Sequence, residues 1–211
     1  MLVMNDKKNV FIEYLKKLNL YNEDIQASFE AFFEELIDFN QQINLFSRKM
    51  DLEDVWILHF LDSISIYEVF SDWQGKKVLD FGTGGGLPGI PIKIVDSDCE
   101  MYFLDSVKKK IDTIKKMTTN LNISNVEFLP FRVEDKIMNK YQHYFDIIVC
   151  RSVKMNYSIK KALEKLLTKE GKIFLFKAKN LDDVDIFDNK KVHTLDLSIE
   201  FERRIVEINY G

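Results

Sequence analysis

Asp80-Phe81-Gly82-Thr83-Gly84-Gly85-Gly86-Leu87-Pro88-Gly89 continues a short apolar run, Val78-Leu79-Asp80-Phe81, and sets five glycines within eight residues. Glycine directly after a strand lets the backbone turn sharply and approach a ligand that a Cβ would exclude. The N-terminus of the helix that follows presents free amides to whatever lies there. A phosphate-gripping P-loop is ruled out, since no Gly-Lys-Ser/Thr follows. The dinucleotide fingerprint has its third glycine where Leu87 stands, so that match is incomplete. About 20 residues further on, Asp105 ends a second apolar run, and a carboxylate at that place can accept the hydroxyls of a ribose.

Outward from the loop, strands and helices alternate. Met101-Tyr102-Phe103-Leu104 reads as the second strand, Ile111 to Leu121 as a helix, and Val126-Glu127-Phe128 and Phe145 to Val149 as strands three and four. Ile159 to Leu167 reads as helix, with Gly171 opening a fifth strand over Ile173-Phe174-Leu175-Phe176. Continuous apolar strands alternating with helices imply a mostly parallel, Rossmann-like sheet covered on both faces. Val192 to Leu197 and Phe201 to Ile208 suggest a terminal antiparallel pair. Residues 1–75 read as helix throughout: Ile25, Phe29, Phe32, Phe33, Leu36 and Ile37 recur at three- and four-residue spacing, and a further run spans Val55 to Phe70. The expected organisation is a helical region over 1–75 packed on an α/β core over 76–211. The Phe29, Phe32, Phe33 stripe is expected in the core.

The chain has 211 residues, of which 46% are apolar, enough for one ordinary core. No apolar run reaches the ~18–20 residues that cross a bilayer. The opening Met1-Leu2-Val3-Met4 is too short for a secretory segment, so the expected compartment is the cytoplasm. Cys99 and Cys150 read as buried hydrophobes rather than a disulfide or metal site. The net charge of −4 conceals an asymmetry: residues 1–75 hold 14 acids and 6 bases, while 76–211 hold 20 acids and 24 bases. The second part is therefore the better partner for a phosphate backbone.

Taken with the glycine pattern Asp80-x-Gly82-x-Gly84-x-Gly86 and Asp105, the stretch Arg132-Val133-Glu134-Asp135 after the third strand completes the arrangement typical of class I S-adenosylmethionine-dependent methyltransferases. The resemblance then becomes specific. Gly82 to Pro91 is similar to the signature of the RsmG family (glucose-inhibited division protein B), bacterial 16S rRNA guanine-N7 methyltransferases that act near the decoding centre. Asn40 with Asn44-Leu45-Phe46-Ser47, His59-Phe60-Leu61-Asp62-Ser63, Leu104-Asp105-Ser106 and Arg151-Ser152 resemble further family motifs in order, over nearly the whole chain. Leu58 departs from a usual basic residue, Ala178 from a usual glycine, and Val153 from the usual alanine.

The resemblance implies S-adenosylmethionine as cofactor and 16S rRNA, or the small ribosomal subunit, as partner. It places Gly82, Leu87, Val133, Glu134 and Arg151 against the cofactor, beside Gly84 and Gly86 of the loop and Asp105 on the ribose. Guanine N7 carries an in-plane lone pair, so attack on a sulfonium methyl requires alignment rather than a general base. No catalytic side chain and no metal are expected, and His59, His143 and His193 form no evident triad or metal set. Arginine is scarce, with five against 25 lysines, and its planar fork at the end of strand four suits an anionic group. Lys108, Lys109, Lys110 and Lys177 are the candidate RNA contacts; for the first three, and for Lys115 and Lys116, a solvated helix face remains an equal reading. His59 and Asp62 share a helical face and are expected to hold the helical region on the core. A monomer is expected. The alternatives are a class I methyltransferase with another substrate, an RNA-binding assembly factor without catalysis, and, least favoured because of Leu87, a nicotinamide dehydrogenase.

Overall fold

The computed structural model describes residues 6–197 and 202–210; Met1-Leu2-Val3-Met4 and Phe201 lie outside them. Seven strands form one sheet in the order β3-β2-β1-β4-β5-β7-β6. Strands β1 (Lys77–Phe81), β2 (Glu100–Leu104), β3 (Val126–Leu129), β4 (Phe145–Arg151) and β5 (Leu167–Lys177) run parallel. The terminal pair, β6 (Lys190–Leu195) and β7 (Arg203–Asn209), is antiparallel, and β7 lies antiparallel against β5. Helices α4 (Gly89–Val95), α5 (Lys108–Asn120) and α6 (Tyr157–Leu166) occupy the connections. The period of two along each strand divides the interior. Val78, Phe103 and Phe174 enter one buried cluster, and Leu79, Leu104 and Leu175 the other. Both faces are covered, as continuous apolar strands require.

The N-terminal region covers the first of those faces. Helix α1 (Lys7–Lys17) starts at an Asp6 cap and α2 (Glu23–Gln42) at an Asn22 cap, whose side chain accepts from the Ile25 amide at 2.7 Å. Phe29, Phe32 and Leu36 of α2 are fully buried, each such side chain contributing about 1.5–3 kcal/mol. Phe60 gathers them: it stacks on Phe32 at 5.2 Å and meets Phe29 at 5.3 Å. The phenylalanine stripe is core. Because Phe29 and Phe60 share one cluster with Val78 and Phe103, the helical region and the sheet have a common interior.

Two sequence expectations need correction. Residues 1–75 are not helical throughout: α2 ends where Ile43 turns extended (φ −133, ψ 135), and residues 43–53 form a loop. The cause is Asn40, whose buried side-chain oxygen accepts from the amides of Leu45 at 2.8 Å and Phe46 at 3.1 Å. Helix resumes as a π-helical segment Val55–Leu61, a turn of α3 (Asp62–Ile64) and a 3₁₀ segment Ser65–Glu68. Second, the fifth strand begins before Gly171. Leu167 is already extended and pairs with Phe145, after which the register shifts. Packing is close at the register shift: a Cβ on Gly171 would lie 2.8 Å from the end of the Leu167 side chain and 3.1 Å from Thr168 O.

Candidate functional site

The carboxyl ends of β1, β2 and β4 meet at a cavity of about 530 Å³, where open α/β sheets bind ligands. The glycine loop forms its floor. Gly82, Gly84 and Gly86 have φ of +71, +58 and +83, in the left-handed region that favours glycine. The reasons differ by position. A Cβ on Gly82 would lie 2.3 Å from Val153 Cγ2, so the loop is pressed against the segment after β4. A Cβ on Gly86 would strike Ile90 at 2.4 Å, and Gly86 does not line the cavity but makes the turn beside it. A Cβ on Gly84 would meet nothing nearer than 3.9 Å, so the space over this residue is open.

Asp80 braces the loop from beneath. Its Oδ2 accepts from Thr83 Oγ1 at 2.6 Å and from the Gly89 amide at 3.0 Å, tying the end of β1 to the start of α4. Its other oxygen makes no hydrogen bond among the described residues. Burial pushes the Asp80 carboxyl up to about 7, against the opposing pull of those two bonds. Gly89 is obligatory, since a Cβ would lie 2.6 Å from both Asp80 Oδ2 and the Phe103 ring. Sequence reasoning had Asp80 in the pattern but not in this role; its place inside a buried strand was the available signal.

Asp105 stands at the end of β2, its orientation set by two backbone amides: Gly84 N at 3.1 Å on Oδ2 and Val107 N at 2.8 Å on Oδ1. Val133, buried, and Glu134, exposed, lie on the same wall after β3. Of the residues expected at a cofactor, Gly82, Gly84, Leu87, Asp105, Val133, Glu134 and Arg151 all line this one cavity. The wall missed from sequence is Leu45 and Phe46 of the Asn40-held loop, contributed by the helical region. Their resemblance to a family motif was the one signal that could have pointed there.

Arg151 reaches the cavity with its fork engaged elsewhere. Nη1 donates to Leu58 O and Asp62 Oδ2, both at 3.1 Å, and Nη2 lies 3.4 Å from His59 Nδ1. Asp62 uses its second oxygen on Arg203 Nε at 2.9 Å. One buried carboxylate thus bridges β4, β7 and the helical region. Burial lowers the His59 pKa to about 3, helped by the Arg151 and Arg203 charges, so its ring is neutral at ordinary pH. Phe46 packs edge-on against it at 5.4 Å. Ser152, next in sequence to Arg151, sits at φ +61, a conformation uncommon outside glycine that concentrates at functional sites.

The candidate RNA contacts divide. Lys108 and Lys109 are exposed on the first turn of α5, Lys110 lines the cavity, and none of the three forms an ion pair among the described residues. Three cations at a helix N-terminus oppose the helix dipole, so their placement does not stabilise the helix. Lys177 is turned inward instead, donating to Asp183 Oδ2 at 2.6 Å and Val153 O at 3.3 Å. Cys99 and Cys150 are buried and unpaired, and burial pushes the Cys99 thiol up to about 11. Among the described residues there is no group of three or more His, Cys, Asp or Glu side chains able to hold a metal.

Comparison with known proteins agrees with this geometry. The family model for rRNA small subunit methyltransferase G matches residues 25–202. A protein of that name from Christiangramia forsetii is 33% identical over 90% of this chain and 90% of its own length. The one from Mycoplasma capricolum is 35% identical over 69% of this chain, an alignment spanning 60% of that relative. Among solved structures, a SAM dependent methyltransferase from Aquifex aeolicus superposes with a TM-score of 0.57 over 75% of this chain and 93% of its own, at 14% identity. That likeness concerns the fold.

Proposed function

Because this chain belongs to the rRNA small subunit methyltransferase G family, we propose that it transfers a methyl group from S-adenosylmethionine to N7 of a guanine in 16S rRNA. The observation that carries the reading is the single cavity on which the glycine loop, Asp105, Val133 and Glu134 converge. The cavity suits this cofactor: open space over Gly84 admits a ligand against bare backbone, and the two-amide cradle leaves Asp105 with lone pairs for ribose hydroxyls. Val133 offers an apolar surface and Glu134 an acceptor for an adenine. When bound, S-adenosylmethionine supplies a methyl carbon activated by positive sulfur; the N7 lone pair forms the new bond and the S–C pair stays with sulfur, so no proton need be removed first.

The protein's own residues then have binding and alignment to perform. Asp80 and Gly89 hold the loop in register, and Asp62 holds Arg151 at the end of β4. Neutral His59 places no second positive charge beside a cationic donor. Cofactor choice is tested by calorimetry: S-adenosylmethionine is expected to bind and NAD not to, with Leu87 standing where a dinucleotide fold has glycine. Tighter binding of NAD would reject the reading. Mass-spectrometric detection of N7-methylguanine in 16S rRNA incubated with the protein tests the reaction itself.

Docking on the rRNA is assigned to the start of α5. Changing Lys108, Lys109 and Lys110 together to glutamine is expected to weaken RNA binding and flatten its salt dependence, by roughly 0.7 to 0.9 in log–log slope per lost phosphate contact. Affinity for S-adenosylmethionine should change little at ordinary salt, since exposed charges are screened over about 8–10 Å. An unaltered slope with full methylation would remove these lysines from the interface. No helix among the described residues is long and apolar enough to cross a membrane. The reading extends to a monomer in the cytoplasm, supported by exposed large apolar side chains that are scattered over separate elements, such as Leu52, Ile137, Tyr157 and Val192.

A further inference from the structure

A second cavity, of about 710 Å³, adjoins the first, and the two share His59, Arg151, Ser152 and Val153. Its volume falls in the range of small-molecule sites, roughly 300–1,000 Å³. Phe176 and Val153 give it apolar surface, while Asn180, Asp182 and Asp183 give it polar groups at the end of β5. Methyl transfer needs donor and nucleophile in separate spaces that communicate where they react. The shared segment at the end of β4 is such a junction.

The two adjacent carboxylates have different employment. Asp183 Oδ2 receives Lys177 Nζ at 2.6 Å and the Met155 amide at 2.8 Å, which ties the segment after β4 to the end of β5. Asp182 Oδ2 accepts from Asn180 Nδ2 at 3.1 Å, and its Oδ1 has no hydrogen bond or ion pair among the described residues. The 3₁₀ turn Asp182–Val184 that carries it is anchored by fully buried Val184. An acceptor with spare capacity therefore stands on a fixed element at the wall of the cavity.

We propose that this second cavity receives the target base, turned out of its stack, and that Asp182 recognises it as guanine. This rests on the reading of the protein as an RNA guanine-N7 methyltransferase. A guanine with N7 toward the shared wall directs N1–H and the 2-amino group to the other side, two parallel donors that one carboxylate accepts together. Adenine in the same pose presents an acceptor at N1 and is rejected, because the seated base covers the exposed Asp182 carboxylate and an acceptor facing an acceptor then leaves both unpaired. Alkylation at N7 also places positive charge on the purine, so the carboxylate interacts more strongly as the bond forms, which is the condition for raising the rate rather than binding alone.

The test is Asp182→Asn, with Asp188→Asn as control, since the Asp188 side chain is 93% exposed and, among the described residues, pairs only with Lys160 at 3.6 Å. Asp182→Asn is expected to lower kcat/KM for N7 methylation of 16S rRNA roughly 10- to 100-fold, the size of a bidentate base contact, with affinity for S-adenosylmethionine unchanged. A synthetic RNA fragment carrying inosine at the mapped guanine removes the 2-amino group. It should be bound and methylated more weakly than the guanine fragment by the unaltered protein, and Asp182→Asn should no longer distinguish the two. Binding of both fragments to protein without cofactor gives the same comparison independently of turnover. An unaltered protein that methylates guanine, beside an Asp182→Asn variant with the same rate and the same inosine penalty, overturns the inference alone. An unaltered protein that methylates no RNA overturns the proposed function, and the inference with it.

Discussion

Gly84→Val is expected to abolish measurable binding of S-adenosylmethionine while leaving the protein folded. Gly84 holds φ +58 and donates its amide to Asp105 Oδ2. A left-handed conformation costs an L-residue about 1–2 kcal/mol, more for a β-branched one, which a domain stable by ~5–15 kcal/mol survives. No protein atom blocks the new Cβ, whose nearest neighbour would be Gly82 O at 3.9 Å. On the proposed function, the valine therefore stands in the space assigned to the cofactor. A loss of about 100-fold or more in affinity by calorimetry, with a modest fall in Tm, is the expected outcome; affinity near that of the unaltered protein would reduce the loop to a turn. Gly82→Val makes the contrast. Its Cβ would sit 2.3 Å from Val153 Cγ2, so it should disturb the segment after β4 as well as the cofactor.

Asp62→Ala is expected to destabilise the whole chain. The carboxylate is 8% exposed and bridges Arg151, 11% exposed, to Arg203, 19% exposed. Removing one partner from a buried ionic group costs about 3–5 kcal/mol, because the desolvated charges left behind lose their compensation. For a domain of this length each kcal/mol lowers Tm by roughly 2–4 °C, so the fall should be well above experimental error. Affinity for S-adenosylmethionine should weaken too, since Arg151 loses its anchor at the cavity. Asp188→Asn serves as the exposed control, and a Tm for Asp62→Ala equal to that control would show that the bridge contributes nothing to stability.

Much of the architecture is legible in the sequence. A mostly parallel sheet covered on both faces follows from continuous apolar runs, which cannot face water on either side, whereas the strand order β3-β2-β1-β4-β5-β7-β6 is seen only in the structure. Asp105 was placed by its spacing from the glycine loop. Arg151 was legible in position but not in engagement: it was expected at the cofactor, and its guanidinium binds Asp62 and Leu58, 89 and 93 residues earlier in the chain. Lys177 was expected to face RNA, and its ammonium turns inward to Asp183. Gly86 belonged to the motif and forms the turn beside the cavity. No proline or glycine marks the loop at 43–53 in the sequence; the break comes from the Asn40 side chain capturing two amides five and six residues on.

The sequence by itself determined the alternation of strands and helices after residue 75, the sharp glycine turn that follows the first strand, and the family to which the chain belongs. Those features depend on local backbone preference and on the two periods, 2.0 and 3.6, that write a buried face into a linear pattern. The tertiary structure alone decided that Leu45 and Phe46 wall the cavity over the glycine loop, that one carboxylate joins three parts of the fold, and that a second cavity meets the first at Ser152 and Val153. Each of these depends on where two layers of side chains come to rest against one another. That is set by close packing over long chain separations, which no local pattern records.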